Sequence, residues 1–175
     1  MLSCFEYERI EDGVRILGIK AEIEDVVIPE GVVEIGERAF YSAEIETVHF
    51  PNSLMRIGES AFEGCDFLRR IHFPKSCRLS KIGKRAFFGT IITELKLPRE
   101  LTEIAEEAFL DCEYLEEIRL SGVVGKLCAG CFDKRYLKAL FVSDITPERL
   151  CELLANDAEL MSAITSGDIE IIFGE

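Results

Sequence analysis

The chain has two histidines, His49 and His72, and imidazole is the side chain that most often binds a transition metal. Each lies in a short alternating segment that ends in Phe-Pro, so the two rings would lie side by side if those segments stack. A zinc site takes three or four ligands, however, and the neighbouring cations Arg70 and Lys96 would repel a metal ion. We therefore expect the histidine pair to bind no metal, and we expect no cofactor.

A second candidate for chemistry is the Cys-x-x-Cys spacing of Cys128 and Cys131. Metal or redox chemistry at such a pair needs a second ligand pair or a thioredoxin-like βαβ pattern, and the sequence has neither. It also lacks a Gly-x-Ser-x-Gly elbow, a Walker loop, a dinucleotide fingerprint and a His-Glu-x-x-His motif. The sequence therefore predicts that the protein is not an enzyme. A metal-binding or catalytic role for the histidines or these cysteines is the least favoured alternative.

A six-residue block of the form Ile-Gly-x-x-Ala-Phe recurs along the chain. Its phenylalanines are spaced 22 to 25 residues apart. They are Phe40, Phe62, Phe87, Phe109 and, in a degenerate fifth copy, Phe132. A repeat of this length cannot bury its own apolar face and must stack on its neighbours, which indicates a solenoid with these phenylalanines in its core. Cys128 and Cys131 occupy the Gly and Ala positions of the degenerate fifth copy, so we interpret them as packing residues.

A second block recurs once per repeat, like the first, and its apolar and polar residues alternate as in a half-buried β-strand. The segments are residues 26–29, 48–51, 71–74, 95–98, 118–121 and 140–143. Four of them end in proline, which terminates a strand because it has no N–H for the ladder. We expect one strand per repeat in a parallel ladder, followed by an irregular or short helical return. The outer residues of each strand, such as Val48 and Phe50, should point inward.

The two blocks together resemble the BspA-like leucine-rich repeat family, whose unit is Ile-Gly-x-x-Ala-Phe-x-x-Cys-x-x-Leu-x-x-Ile-x-Ile-Pro. The resemblance covers residues 23–143, with Cys65 and Cys112 at the cysteine position and Thr90 in a shorter variant. It implies a leucine-rich-repeat solenoid, and it implies a role in protein interaction or surface adhesion. For the glycine of the first block we expect a tight turn or a positive φ.

The two ends of a stack need covers, because exposed strand edges aggregate. At the N-terminus, Asp12-Gly13 between two alternating segments is a strong hairpin signal, which predicts a β-hairpin cap within residues 1–22. We expect this hairpin, the repeats and the C-terminal region to form one domain over residues 1–175.

Residues 144–175 are predicted to form an α-helical C-terminal cap. Thr146 and Pro147 are typical of an N-cap and a first helical residue, and an apolar stripe predicts one helix to about Ile164. Gly167 should end the helical region, and residues 168–173 should add a final strand.

The solvent-facing positions of stacked strands form two columns along the predicted concave face. The first column is Val27, His49, His72, Lys96, Arg119 and Phe141, and the second is Asp25, Thr47, Arg70, Glu94, Glu117 and Ala139. The first contains only apolar, imidazole and cationic groups in a chain of net charge −13, which favours an acidic or otherwise anionic partner. Alternatively, the charges form ordinary solvated pairs, Glu94 with Lys96 and Glu117 with Arg119. The candidate partner-binding residues are Thr47, His49, Arg70, His72, Glu94, Lys96, Glu117, Arg119 and Phe141.

We interpret the chain as a non-catalytic module that binds a protein or peptide on this face, with an extracellular adhesin fragment as the alternative. The net charge of −13 argues against a nucleic-acid partner, because it repels phosphates. No apolar run approaches the ~18–20 residues of a membrane helix, so we expect no membrane insertion. The start shows no leader and the seven cysteines are an odd number, which favours the cytoplasm. A secreted or surface location is the alternative if a leader has been removed.

Overall fold

The computed structural model describes residues 2–121 and 124–174, and it forms a solenoid of about six turns. The predicted N-terminal hairpin is confirmed: β1 (Phe5–Ile10) and β2 (Gly13–Ile19) pair antiparallel around the Asp12-Gly13 turn. Gly13 has a φ of 151°, and a Cβ there would lie 2.7 Å from the carbonyl oxygen of Gly31. The turn therefore needs glycine both for its backbone conformation and for the close approach of the next coil.

The predicted repeat strands form parallel pairs in the expected register. They are β3 (Asp25–Val27), β5 (Thr47–His49), β7 (Arg70–His72), β9 (Glu94–Lys96), β11 (Glu117–Ser121), β13 (Ala139–Ser143) and β14 (Glu170–Phe173). We call this set the repeat-strand ladder. It is divided into a three-stranded sheet, β3-β5-β7, and a four-stranded sheet, β14-β13-β11-β9. The division lies next to residues 74–82, a segment two residues longer than its counterparts, residues 51–57 and 98–104, in the neighbouring repeats.

A second parallel ladder runs through the returns, which the sequence predicted to be irregular or helical. It contains β4 (Val32–Ile35), β6 (Arg56–Ile57), β8 (Lys81–Ile82), β10 (Glu103–Ile104) and β12 (Lys126–Leu127). Together with the hairpin these strands form a seven-stranded sheet in the order β1-β2-β4-β6-β8-β10-β12. Most of them have two residues, which is too short for an alternating pattern to reveal them.

The core contains a continuous stack of phenylalanine rings, as predicted. Successive ring centroids from Phe40 to Phe62, Phe87, Phe109 and Phe132 are 4.8, 5.0, 5.1 and 5.8 Å apart. All five side chains are buried, and inward residues of the repeat strands such as Val48 complete the same core. One ring per coil at this spacing is offset-stacked aromatic packing, which adds to the hydrophobic stabilisation.

The glycines of the Ile-Gly-x-x-Ala-Phe block do not have the positive φ that we expected. Gly58 and Gly83 lie against the backbone of the preceding coil: a Cβ on Gly83 would lie 2.6 Å from the carbonyl carbon of Gly58. In the first four copies, the left-handed residue of the block lies two positions later and is Arg38, Ser60, Arg85 or Glu107, with φ from 52 to 58°. The positive-φ alternative was therefore wrong. The tight turn is present, since the carbonyl oxygen of Gly83 accepts a hydrogen bond from the Ala86 N–H at 3.3 Å, and close coil packing explains why the residue is glycine.

The C-terminal region contains two helices where the sequence predicted one. They are α1 (Pro147–Leu154), which Thr146 caps through its side chain, and α2 (Ala158–Ser166). The break occurs because Asp157 caps α2, accepting a hydrogen bond from the Leu160 N–H at 3.0 Å, and also accepts one from the Gly130 N–H at 2.7 Å. Gly167 ends α2 with a φ of 87°, as predicted. Strand β14 then pairs with β13.

Candidate functional site

The third residue of each repeat strand from β3 to β13 belongs to the predicted first column. His49 pairs with His72 across β5 and β7, and Arg119 pairs with Lys96 on one side and with Phe141 on the other. His49, His72, Lys96 and Arg119 are exposed, and Phe141 is partly buried. The structure therefore brings these side chains to one surface, and their role in binding a partner stays a prediction.

The two histidine rings stack, with centroids 4.7 Å apart and planes 21° apart. Partial burial, followed by the charges of His49 and Arg70, lowers the pKa of His72, while Glu94 opposes that effect. Within residues 2–121 and 124–174, no group of three or more His, Cys, Asp or Glu side chains is arranged to bind a metal ion.

The second column differs from the prediction at one candidate residue. Thr47 is not solvent-facing, because only 3% of its surface is exposed. Its hydroxyl oxygen accepts hydrogen bonds from Nε and Nη2 of Arg70, at 3.4 and 3.3 Å, and the long guanidinium side chain covers it. Arg70, Glu94 and Glu117 are exposed as expected. Thr47 therefore acts as a support for Arg70 and is removed from the candidate surface.

The predicted charge pairs along single strands are present. Lys96 Nζ lies 2.8 Å from Glu94 Oε1, and Arg119 Nη2 lies 3.7 Å from Glu117 Oε2. The hydrogen bond from Lys96 is the main reason that the pKa of Glu94 is lowered. All four side chains are well exposed, and such pairs stabilise a fold by ~0–1 kcal/mol. The pairs are therefore weak enough to exchange for contacts with a partner.

The most distinctive feature of this surface is a depression of about 390 Å³ beside β9, β11 and β13. We call it the cationic depression. Among the residues that the structure describes, its lining is Lys96, Leu97, Arg99, Arg119, Leu120, Phe141, Val142, Ser143 and Gly174, with three cations and no carboxylate. Four other depressions on the described residues each include at least one carboxylate. In a chain of net charge −13, this lining is a local reversal of sign.

Two further contacts fix the cations at the depression. The guanidinium carbon of Arg119 lies 4.1 Å from the centre of the Phe141 ring, a cation–π contact. Arg99 Nη2 lies 3.3 Å from Asp144 Oδ2, and Asp144 does not line the depression. Each cation thus has a carboxylate partner outside the lining and presents its remaining donors to an incoming group.

Arg99 and Ser143 are site residues that the sequence reasoning missed. Arg99 follows segment 95–98, and Ser143 is the last residue of segment 140–143, so neither belongs to the two columns. A signal was present at Ser143, because serine stands there where earlier repeats have proline. Without proline, β11 and β13 continue to five residues and extend the surface toward Arg99.

The second ladder has a charged column of its own, which the sequence analysis also missed. The column contains Arg15, Glu34, Arg56, Lys81, Glu103 and Lys126. Glu34 bridges two arginines, at 2.7 and 2.8 Å, and Glu103 bridges two lysines, at 3.1 and 4.0 Å. The column contains four cations and two carboxylates, and each carboxylate lies between two cations, so the charges of this column are partly neutralised.

Of the Cys128 and Cys131 pair, Cys131 has the surroundings of a packing residue, and Cys128 is partly buried. Cys131 is fully buried, and burial raises the pKa of its thiol. Cys65 and Cys112 are also buried, and each donates a weak hydrogen bond to a backbone carbonyl of the preceding coil. Raised thiol pKa values keep these sulfurs protonated, the opposite of what a nucleophile or metal ligand requires.

In the part of the chain that the structure describes, no helix has both the length and the apolar character needed to cross a bilayer.

The fold is shared with solved leucine-rich repeat structures. A leucine-rich repeat protein from T. pallidum superposes with a TM-score of 0.59 at 23% identity, covering 98% of this chain and 96% of that one. The pneumococcal vaccine antigen PcpA gives 0.64 at 17% identity, covering 97% and 48%. A leucine-rich repeat protein from Bacteroides capillosus gives 0.53 at 24% identity, covering 58% and 83%.

No match was found among curated proteins. The family comparison is more specific than the structural ones, because it detects the repeat unit itself. The BspA type leucine rich repeat region is matched in six copies over residues 33–147. This range includes the five phenylalanine blocks and the repeat strands β5 to β13. The chain therefore belongs to the BspA-type leucine-rich repeat family, as the sequence resemblance indicated.

Proposed function

We propose that the protein is a non-catalytic module that binds an acidic protein or peptide, with the cationic depression as the centre of the binding surface. The observation that carries this proposal is the lining: among the residues that the structure describes, it includes Lys96, Arg99 and Arg119 and no carboxylate. Arg119 lies over the ring of Phe141, which also lines the depression. A surface that combines positive charge with an apolar patch suits a macromolecular partner with complementary charge.

The lining also supports binding over catalysis. It offers cations, apolar side chains and the hydroxyl of Ser143, a set that holds an anion in place. The volume of about 390 Å³ is at the low end of the ~300–1,000 Å³ typical of small-molecule sites. An open surface of this size fits one or two residues of a longer partner.

Charge reversal tests the proposal. The probe is a fluorescein-labelled peptide of ten glutamates, and binding is measured by fluorescence anisotropy at several salt concentrations. The double variant Lys96→Glu/Arg119→Glu should weaken binding at least ~10-fold and flatten the salt dependence, because attraction becomes repulsion.

The matched control is Lys81→Glu/Lys126→Glu, which reverses the same amount of charge on the second ladder. Both of these lysines are exposed, and each faces a glutamate as Lys96 and Arg119 do. The control should bind the peptide nearly as well as the natural sequence. Equal losses in the two double variants would show that net charge alone governs binding and would refute the proposed surface.

A surface-exposed adhesin is the second candidate, because one structure with the same fold is described as a vaccine antigen. The alternative to a surface location is the cytoplasm, which the odd number of cysteines favours. Protease treatment of intact cells, followed by detection with an antibody to this chain, distinguishes them: digestion supports the surface location, and protection until lysis supports the cytoplasm.

A further inference from the structure

We infer that the binding surface extends from the cationic depression to the stacked pair of His49 and His72, and that protonation of this pair in mildly acidic solution strengthens the binding of an acidic partner. This inference rests on the proposed function and adds control by pH to the same surface. Three features carry it: the position of the pair in the first column, the close stacking of its rings, and the charges on the flanking strands.

The histidine pair is continuous with the cationic depression. Lys96 lines that depression, and it also lines a neighbouring depression of about 240 Å³ together with His72. His49 pairs with His72 across β5 and β7, and both side chains are exposed. The two imidazoles, Lys96 and Arg119 therefore follow one another on four successive coils, and an extended acidic peptide along this column meets all of them.

The histidines are the groups of this surface whose charge responds to mild acid. The chain has two histidines, and both are in the first column. An imidazole with an ordinary pKa of ~6.5 changes charge between about pH 7.5 and about pH 5.5, whereas ordinary carboxylates, lysines and arginines keep their charges. The column therefore has the fixed charges of Lys96 and Arg119 at the upper end of this range and gains up to two further positive charges at the lower end.

The stacking couples the two protonation steps. The ring centroids are 4.7 Å apart, with planes 21° apart. Two imidazolium ions at this distance repel each other, so the free protein takes up the second proton at a lower pH than the first. An anionic group bound above the pair attracts both rings and offsets that repulsion. Protonation and binding of an acidic partner therefore strengthen each other, as linkage requires.

Three cations lie close to the pair. Arg69, Arg70 and Lys96 line the depression of about 240 Å³ together with His72, and Arg69 Nε lies 3.9 Å from Glu46 Oε2. Partial burial, followed by the charges of the other imidazole and of Arg70, lowers the pKa of His72. His72 is therefore largely neutral in the free protein at neutral pH and is available to gain a charge when a partner binds.

The flanking strands supply little counter-charge for a protonated pair. Their carboxylates are Asp25 on β3 and Glu94 on β9. Glu94 opposes the lowering of the His72 pKa, but the same carboxylate lies 2.8 Å from Lys96 Nζ. Asp25 pairs with Thr47, two residues before the histidine of β5. Acidic groups of a partner therefore supply the main additional counter-charge.

The probe is a rhodamine-labelled peptide of ten cysteic acids, whose sulfonates stay ionised throughout the pH range. Binding to the complete chain is measured by fluorescence anisotropy at constant ionic strength. The affinity should rise ~3–10-fold between about pH 7.5 and about pH 5.5, because up to two ion pairs are added. In His49→Gln/His72→Gln the rise should be less than ~2-fold. His72→Arg, which is charged at every pH, should bind the probe at about pH 7.5 ~2–5-fold more tightly than the natural sequence.

A displaced histidine is the matched control. Lys81→His in the His49→Gln/His72→Gln background places one imidazole on the second ladder, where Lys81 is exposed. Binding should then depend on pH as weakly as in the double glutamine variant. Thermal unfolding of each variant at both pH values verifies that the fold is intact.

The outcomes separate this inference from the proposed function. If the natural sequence binds the probe with equal affinity at both pH values and Lys96→Glu/Arg119→Glu still weakens binding, the inference is wrong and the proposed function stands. If the double glutamine variant keeps the full rise, or the displaced histidine restores it, groups outside the pair cause the pH dependence and the inference is also wrong. If neither this probe nor the glutamate peptide binds at either pH, both proposals fail.

Discussion

Replacing Phe87 by alanine should be among the most destabilising single changes in this protein. The ring is fully buried, and it stacks on Phe62 at 5.0 Å and on Phe109 at 5.1 Å. Truncating a buried phenylalanine costs ~3–5 kcal/mol, because transfer free energy is lost and a cavity remains. Two stacked contacts, each worth ~0.5–1.5 kcal/mol, place this residue in the upper part of that range, about 4–5 kcal/mol. A typical domain has only ~5–15 kcal/mol of total stability.

Urea unfolding followed by far-UV circular dichroism measures the effect, and two further variants grade it. Phe132 ends the stack, with one aromatic neighbour at a longer distance of 5.8 Å, so Phe132→Ala should cost less, about 3 kcal/mol. Phe67 is 50% exposed, and Phe67→Ala should cost less than about 1 kcal/mol. Equal losses at Phe87 and Phe67 would refute the continuous aromatic core.

Two further predictions concern coil packing and buried thiols. Gly83→Ala should lower the free energy of unfolding by ~1–3 kcal/mol, because its Cβ would lie 2.6 Å from the carbonyl carbon of Gly58. In Gly18→Ala the new Cβ would lie 3.8 Å from its nearest atom, so the free energy of unfolding should change by less than ~0.5 kcal/mol. Equal urea midpoints for the two variants would contradict the packing argument. Burial raises the pKa of Cys65 to about 12 and of Cys112 to about 11, so these thiols stay protonated in the fold at a pH where they ionise in the unfolded chain. Their stabilisation is therefore complete below the unfolded pKa of ~8.5 and is lost as the pH rises toward the folded values, so urea midpoints should fall between about pH 8 and about pH 10. The fall should be smaller in Cys65→Ala/Cys112→Ala, and an identical fall in that variant would show that other groups cause it.

The solenoid could be predicted from sequence because each repeated residue has the same structural role in every coil. A phenylalanine every coil must stack, and an alternating segment every coil must pair, so Phe87 and Val48 identify the core without further information. The second ladder could not be predicted in the same way. Strands such as β6 contain two residues, and only the stacking of whole coils makes them a sheet.

The errors at single residues share a cause, which is contact between coils. Gly83 was expected to be glycine because of a tight turn or a positive φ; the turn is present, but it is the backbone of the preceding coil that requires glycine there. Thr47 was expected to face solvent, and Arg70 of the next coil covers it. Asp157 breaks the predicted single helix because it binds both its own helix and Gly130, 27 residues earlier. Sequence patterns describe a residue's own segment and do not reveal such contacts.

The place where the repeat pattern fails is also the place where the candidate site forms. Proline ends the strand segments of the early repeats and limits β9 to three residues, whereas serine takes that position in the later repeats and is the last residue of β11 and of β13. The two longer strands pair for two more residues, Leu120 with Val142 and Ser121 with Ser143. The strands change in length between β9 and β11, and Leu120 and Val142 of the longer part line the depression. The residues that depart from the repeat pattern are therefore among those that form the depression proposed as the binding surface.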